Sequence, residues 1–426
     1  MKKIKPPSRK AQFLLPALVP VYFMAAGIIQ QPIHLLWEGL LTILREPDFL
    51  ITDYFEIGGP GAAFLNAGLV TLLCLLIIYK LGMEINGHTI TSICLMFGFS
   101  LFGKNVLNIW SILLGVFLYS KYHKTSISKY IYVGFYGTSL SPIITELMQV
   151  GHLPVPVRLL LAVVTGLVIG FVLPPLSTHV YDSHKGYSLY NVGFAGGIIA
   201  TVVMSLFKSF GHEFEFRLFW STEYTARMAV IMGIFLCLLI VFSLYPSPKR
   251  TLRSYAEILR SPGIGGTDYI KSEGMRPVLL NMAVNGIFTT GFVLLVGGDL
   301  NGPTIGAIFT ILGFSATGKH LRNIAPVMFG VWLASLTKTW NITDPSAILA
   351  LLLSTSLAPI AGRFGVVWGM IAGFLHSSVA LNVGVVYSGM NLYNNGFAAG
   401  LVAIFLVPLI QSFADRKARA NGDISL

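Results

Sequence analysis

The sequence predicts an all-α, polytopic helical membrane protein with an internal inverted-topology repeat and short broken or re-entrant helices. Three observations predict it. The 426 residues are 54% apolar and only 11% charged, with a mean hydropathy of +0.73. Uncharged runs of about twenty residues recur along the chain, the length a helix needs to cross a bilayer. Residues 82–120 return at 297–335, and 17 of the 39 positions are identical without a gap. An internal duplication is therefore built into the chain.

Composition narrows the class further. Lipid satisfies the backbone only in helices and closed barrels, and barrel strands would alternate in short segments, which these uniformly apolar runs do not. The net charge of +11 comes from basic residues crowded at the two ends and in one central loop. That distribution predicts cytoplasmic anchoring, with membrane lipid and not nucleic acid as the partner. Lys2, Lys3, Lys5, Arg9 and Lys10 run straight into an apolar segment, so no cleavable signal is expected. Cys74, Cys94 and Cys237 fall inside apolar runs without ligand spacing, and read as packing residues with no metal or cofactor expected.

The elements follow in order. Phe13 to Ile29 is the first span, and His34 to Arg45 an amphipathic stretch ending in Glu46-Pro47 and then Thr52-Asp53-Tyr54. Spans are expected at residues 61–81, 105–120, 128–147 and 156–176, with a short apolar segment at 88–102 and a glycine-rich span from Tyr187 to Phe207. A polar loop with Glu213, Glu215 and Arg217 closes the first half. The second half repeats this order, opening with a span from Thr225 to Leu244. Thr267-Asp268-Tyr269 answers Thr52-Asp53-Tyr54, and Asn281 answers Asn66. Thr355-Ser356-Leu357 answers Thr138-Ser139-Leu140, and Leu392-Tyr393-Asn394 answers Leu189-Tyr190-Asn191. The expected division is 1–208 for the N-terminal half, 209–223 for the connecting loop, 224–412 for the C-terminal half and 413–426 for the tail.

Orientation comes from equivalent loops. Residues 34–58 carry Glu38, Arg45, Glu46, Asp48, Asp53 and Glu56, a net −4; the counterpart 247–276 sums to +3. Basic loops stay in the cytoplasm, so the two loops are expected on opposite faces, which makes the repeat inverted with an odd number of crossings per half, five or seven. The basic tail with Arg416, Lys417 and Arg419 then lies inside with the basic N-terminus.

The short segments are the first candidates for a site. Paired short segments at matching places point to a transporter's midplane binding site. Each starts at Asn-Gly and ends in Gly-Phe-Ser-x-x-Gly-Lys, which gives Asn86, Gly87, Thr89, Ser100, Gly103 and Lys104 in one copy. The other copy gives Asn301, Gly302, Thr304, Ser315, Gly318 and Lys319. Helix ends there would offer free N–H groups and partial positive charge to a solute. The Gly-x-x-x-x-Gly-Lys spacing nearly matches a phosphate-binding P-loop but continues with Asn105 and His320 where that motif has Ser or Thr, so a nucleotide site is not expected. The two lysines either hold a small anion or snorkel to the headgroups. Glu84 and Asp299, two residues before each Asn-Gly, are the candidate acids for coupling a proton or sodium.

Asn191 and Asn394 complete the candidates, within Leu-Tyr-Asn-x-Gly-Phe-Ala. That motif resembles the Tyr-Asn-Gly element of urea transporters, which are also built from two inverted halves, although the Thr-x-Pro-Phe pore segment of that family is missing here. As a whole, the chain resembles an uncharacterised bacterial membrane-protein family with two inverted halves. The resemblance implies a bacterial cell membrane, and it brings no substrate. The leading expectation is a secondary transporter of a small polar or anionic metabolite, with the site between the two short segments. A passive channel for a small neutral solute is the alternative. A membrane-embedded enzyme is disfavoured, because no HExxH motif or nucleophile–base set is found. A homo-oligomer is compatible with either transport reading. The topology predicts that a cysteine at Asp48 is labelled from outside the cell and one at Arg253 is not; labelling of both from one face would make the repeats parallel.

Overall fold

A computed structural model describes residues 9–151, 153–212, 214 and 217–420, the side chains of 417–420 excepted. Lys2, Lys3, Lys5, Glu213 and Glu215 lie outside the described residues. The first half consists of α1 (Arg9–Gln30), α2 (Ile33–Arg45), α3 (Tyr54–Lys80), α4 (Gly87–Phe99), α5 (Trp110–Tyr122), α6 (Ile131–Gly137), α7 (Ser141–Leu147), α8 (Val155–His184) and α9 (Asn191–Ser209). The second half repeats it as α10 (Thr225–Leu244), α11 (Pro248–Ile258), α12 (Tyr269–Glu273), α13 (Met275–Leu295), α14 (Gly302–Phe314), α15 (Leu321–Ser335), α16 (Pro345–Leu353), α17 (Ala358–Phe364), α18 (Val366–Val383) and α19 (Asn394–Ala420).

Even the irregularities repeat. α3 kinks at Gly59, whose φ of +82° reappears as +91° at Gly274, where α12 gives way to α13. Only glycine adopts this conformation cheaply, and both positions carry it. A 3-10 turn at Thr138–Leu140 breaks α6 from α7, and another at Ser354–Leu357 breaks α16 from α17. Among the described residues, nine helices are long and apolar enough to cross a membrane. Five are expected per half once the α6–α7 pair is set beside its long counterpart Pro345–Phe364. At 13 residues, α4 and α14 are each about 20 Å long, short of a bilayer core of about 30 Å. They are buried along their length, except at His88 of α4.

The two short helices cross each other at the centre of the molecule. Glycine allows the approach: a Cβ on Gly98 would stand 2.5 Å from the Gly306 carbonyl, and one on Gly306 would stand 2.4 Å from the Gly98 carbonyl. The equivalent contact under exchange of the halves, Thr91 against Gly313, is also present, with Thr91 Oγ1 donating to Gly313 O at 2.9 Å. Phe97 and Phe309 meet beside the crossing at 4.5 Å between ring centroids, and Phe23 of α1 packs against both. A second crossing joins α9 to α19, where Gly193 faces Gly396 and each of Gly197 and Gly400 receives a phenylalanine from the other helix.

Two expectations need correcting. Asp48 and Asp53 are fully buried, so they add nothing to the surface charge of the α2–α3 loop, which stays acidic through Glu38, Glu46 and Glu56 against Arg45. A topology probe therefore belongs at the exposed Glu38 and not at Asp48. Cys237 is exposed on α10 and is not a core packing residue, unlike Cys74 and Cys94.

The central crossing predicts that Gly306→Val costs about 1–3 kcal/mol or abolishes folded protein, because the clash is with backbone. Gly233→Ala, on α10 with nothing near its Cβ position, should leave the melting temperature in detergent unchanged or slightly raised. Equal melting of the two variants would mean the crossing is not close-packed.

Candidate functional site

Each short helix begins with a reciprocal cap. Asn86 Oδ1 accepts from Thr89 N at 3.0 Å while Thr89 Oγ1 accepts from Asn86 N at 3.2 Å. Asn301 and Thr304 do the same at 3.2 and 2.8 Å. These boxes leave the next backbone N–H free, and a carboxylate from the opposite half takes it. Gly302 N donates to Asp53 Oδ1 at 3.1 Å, and Gly87 N donates to Asp268 Oδ1 at 3.1 Å. The negative charge also sits where the helix dipole favours it. So the helix N-termini are not open to a solute; the protein occupies them itself.

The hairpin after each short helix is pinned in the same duplicated manner. Asn66 Nδ2 donates to the carbonyls of Ser100 and Lys104, both at 2.8 Å, and Asn281 Nδ2 donates to those of Ser315 at 2.8 Å and Lys319 at 2.7 Å. Gly103 and Gly318, at φ of +102° and +139°, allow the turn that drives each lysine inward. Lys104 and Lys319 are accordingly 0% exposed and do not snorkel.

Each amine reaches across to a tyrosine of the other half. Lys104 Nζ donates to Tyr393 OH at 3.2 Å and to Phe135 O at 3.3 Å, with the Tyr393 ring centroid 4.9 Å away. Lys319 Nζ donates to the Tyr190 hydroxyl and to Thr355 Oγ1 at 2.8 Å, with the Tyr190 ring centroid 4.4 Å away. Among the described residues no carboxylate pairs with either amine. Hydroxyls, carbonyls, ring faces and, for Lys104, the Met96 sulfur at 3.7 Å solvate them.

Tyr190 and Tyr393 wall a cavity of about 300 Å³ together with Phe99, Tyr136 and Phe314; Lys129 and Tyr181 stand exposed at its rim. A second cavity, of about 450 Å³, is bordered by Leu50, Ile51, Lys208, Ser346, Leu349 and Asn394. Among the described residues no acidic side chain lines either cavity, and Asn395 borders both.

The sequence candidates divide accordingly. Asn86, Gly87, Thr89, Asn301, Gly302 and Thr304 form the caps. Ser100 and Ser315 hold the hairpins, and Lys104 and Lys319 lie one hydroxyl behind the cavity wall. Asn191 borders the first cavity and Asn394 the second, and each amide ties down the end of the preceding helix through Ser177 O or Ala380 O. Glu84 is exposed; Asp299 accepts from Trp220 Nε1 at 3.0 Å and from Thr225 Oγ1 at 3.4 Å, and neither acid lines either cavity. Tyr190, Tyr393, Asp53 and Asp268 were in the repeated motifs but were not singled out; their pairing across the halves is a three-dimensional fact that the repeat alone signals only as identity.

One residue breaks the symmetry. Asp48 is buried and accepts from Tyr54 OH at 2.6 Å, Asn108 Nδ2 at 3.0 Å and Thr145 Oγ1 at 3.3 Å. Its counterpart is Gly263, where a Cβ would stand 2.0 Å from the Gly318 carbonyl.

Fold and site together define a multi-pass helical membrane protein made of two copies of one helical unit, with paired lysines buried at its centre. The chain belongs to the family described as Protein of unknown function (DUF1576), which matches it over residues 33–209 and 247–412, one region in each half. No curated protein and no solved structure matches it, so the likeness to urea transporters rests on the Tyr-Asn element alone.

The caps predict an order of stability. Asp53 accepts from Gly302 N, Phe55 N and both the N–H and hydroxyl of Ser221, whereas Asp268 accepts from Gly87, Ile270 and Lys271 N–H groups at the protein surface side. Asp53→Asn places an amide donor against Ser221 donors and should cost about 1–3 kcal/mol, more than Asp268→Asn. Thermal melting of the two purified variants measures this; the reverse order would discount the cap across the halves.

Proposed function

We propose that the protein is a secondary transporter that moves a small polar or anionic metabolite by alternating access between two inverted repeats. One observation carries this reading: the first cavity runs from the interface of the halves, where Phe99 with Phe314, Tyr190 with Tyr393 and Gly193 with Gly396 are equivalent pairs in one wall, to an outer part whose counterpart is the second cavity. Lys129, Tyr132 and Tyr181 of the first correspond to Ser346, Leu349 and Gly384 of the second, and Gly265 and Gly266 correspond to Leu50 and Ile51. The cavities also sit at opposite ends of α9. Asn191 in its first turn borders one and Lys208 in its last turn borders the other, about 26 Å apart at 1.5 Å per residue. Repeats of opposite orientation support such a cycle, since exchanging the conformations of the halves converts a state open to one side into a state open to the other. The partition is the first turn of α19, where Asn394, Asn395 and Gly396 pass from one cavity to the other.

In this reading the chain is a carrier and not an enzyme, seated in a bacterial plasma membrane with both termini in the cytoplasm. A proton or sodium gradient drives it, with Glu84 and Asp299 as the acids to test. The urea-transporter likeness favours the second reading, a continuous pore for a neutral solute.

Tyr132→Cys and Leu349→Cys, made separately with Cys237 replaced by serine, distinguish the two. A carrier exposes each cysteine to a membrane-impermeant thiol reagent from one face only, the two faces being opposite. A pore exposes both from either face to a reagent small enough to pass, and that result would retire the carrier.

A further inference from the structure

Beside each buried lysine lies a pair of polar side chains that carry unpartnered atoms, although Asn391 Oδ1 accepts from Tyr393 N at 3.0 Å. Leu189 N donates to Ser356 O at 2.9 Å, which brings Ser188 against the broken segment between α16 and α17. The counterpart bond, Leu392 N to Ser139 O at 3.1 Å, brings Asn391 against the break between α6 and α7. The hydroxyls of Ser188, Ser356 and Ser139 and the Nδ2 of Asn391 are all buried without a hydrogen-bond partner in the protein. Buried polar atoms are normally satisfied; other repeat-related pairs share this state, such as Asn66 Oδ1 with Asn281 Oδ1, and what sets Ser188 apart is its place in a cavity wall. Ser188, 1% exposed, also borders the first cavity, alongside Tyr190 and Tyr393.

Charge decides what these groups fit. An ammonium removed from water and left without a carboxylate costs several kcal/mol, and the cation–π and hydroxyl contacts offset only part of that. Among the described residues no acid lines the cavity next to Tyr190, which has Lys129 at its rim and is otherwise mostly aromatic and aliphatic. A cationic solute would meet two buried amines of its own sign. A neutral one would do nothing to hold those amines protonated, whereas an anion brings the charge that does. An oxyanion accepts from the orphan hydroxyl and from the tyrosine hydroxyl that Lys319 polarises, and it compensates the amine across that one bond. The apolar remainder of the wall then has to be covered by an apolar or aromatic body.

We propose that the first cavity binds a small organic acid, its carboxylate or other oxyanion placed at Ser188 and Tyr190 with Lys319 as counter-charge and its apolar body against Phe314 and Tyr393. The equivalent set, Asn391, Ser139, Tyr393 and Lys104, reaches the same first cavity through Tyr393, and none of its members borders the second. This deepens the transporter reading by naming its cargo class and rests on that reading only for the cargo being carried across.

The test uses the full-length protein in detergent and three probes of one shape: benzoate, benzamide and benzylamine, with benzenephosphonate as a second oxyanion. Benzoate or benzenephosphonate should raise the melting temperature in a concentration-dependent way, as a ligand selective for the folded state must, and the amide and the amine should not. Ser188→Ala should weaken that binding about tenfold or more, the ordinary effect of losing one hydrogen bond to a charged group. Lys319→Met should abolish it, and Ser188→Ala stands alone if that variant does not fold. Stabilisation by benzamide equal to that by benzoate, no stabilisation by either oxyanion, or unchanged benzoate binding in Ser188→Ala would each overturn the site. The two readings fail separately. Oxyanion binding without uptake of labelled benzoate into proteoliposomes sinks the carrier and keeps the site; face-selective labelling of Tyr132→Cys and Leu349→Cys with no oxyanion binding does the opposite.

Discussion

The structure depends on one exchanged interaction: each half lends a carboxylate to the start of the other half's short helix. A helix of thirteen residues that stops inside a bilayer-thick protein leaves several N–H groups with no water to turn to. Asn-x-x-Thr boxes satisfy part of this locally, and Asp53 and Asp268 supply the rest from across the pseudo-twofold relation. Neither half can complete its own short helix, so the halves are obliged to fold against each other. Everything deeper in the site follows, because the short helices set the hairpins, the hairpins set the lysines, and the lysines find their tyrosines only on the opposite half.

That arrangement gives the protein a polar centre with a consistent logic. Asp53 and Asp268 are spent on helix ends, and the two buried lysines are left behind the first cavity with no anion among the described residues. A membrane protein that keeps two amines out of water and away from every acid has an unusual electrostatic interior, and intramembrane charge is costly enough that it marks function by default. The aromatic rings around each amine temper that cost without cancelling it.

Much of this was legible beforehand. The membrane class came from uniform apolar runs, and the duplication from identities such as Asn66 with Asn281 and Thr-Asp-Tyr with Thr-Asp-Tyr. The short segments and their lysines were visible because glycine and Asn-Gly bound them at the same spacing twice. Partners were not legible. Periodicity says which residues repeat, but not that Asp53 reaches Gly302 or that Lys319 reaches Tyr190, since those pairs are set by how two halves dock. Burial misled in the same way: Asp48 sits in a short polar loop and reads as solvent-exposed, yet the loop folds inward and Tyr54, Asn108 and Thr145 close over it. The lysines' freedom from snorkelling likewise depended on two positive-φ glycines whose backbone angles no composition reveals.

The pairing of Asp48 with Gly263 has a genetic consequence. Duplicated halves that stay equivalent can in principle be separated again, and two copies of one half-gene would rebuild the whole. Here the first half needs an aspartate that three neighbours hold, and the second half needs a glycine at φ +68° because the Gly318 carbonyl occupies the space of any side chain. Neither residue suits the other's seat. The two modules have diverged into complementary parts, so two copies of either half alone would not rebuild this structure.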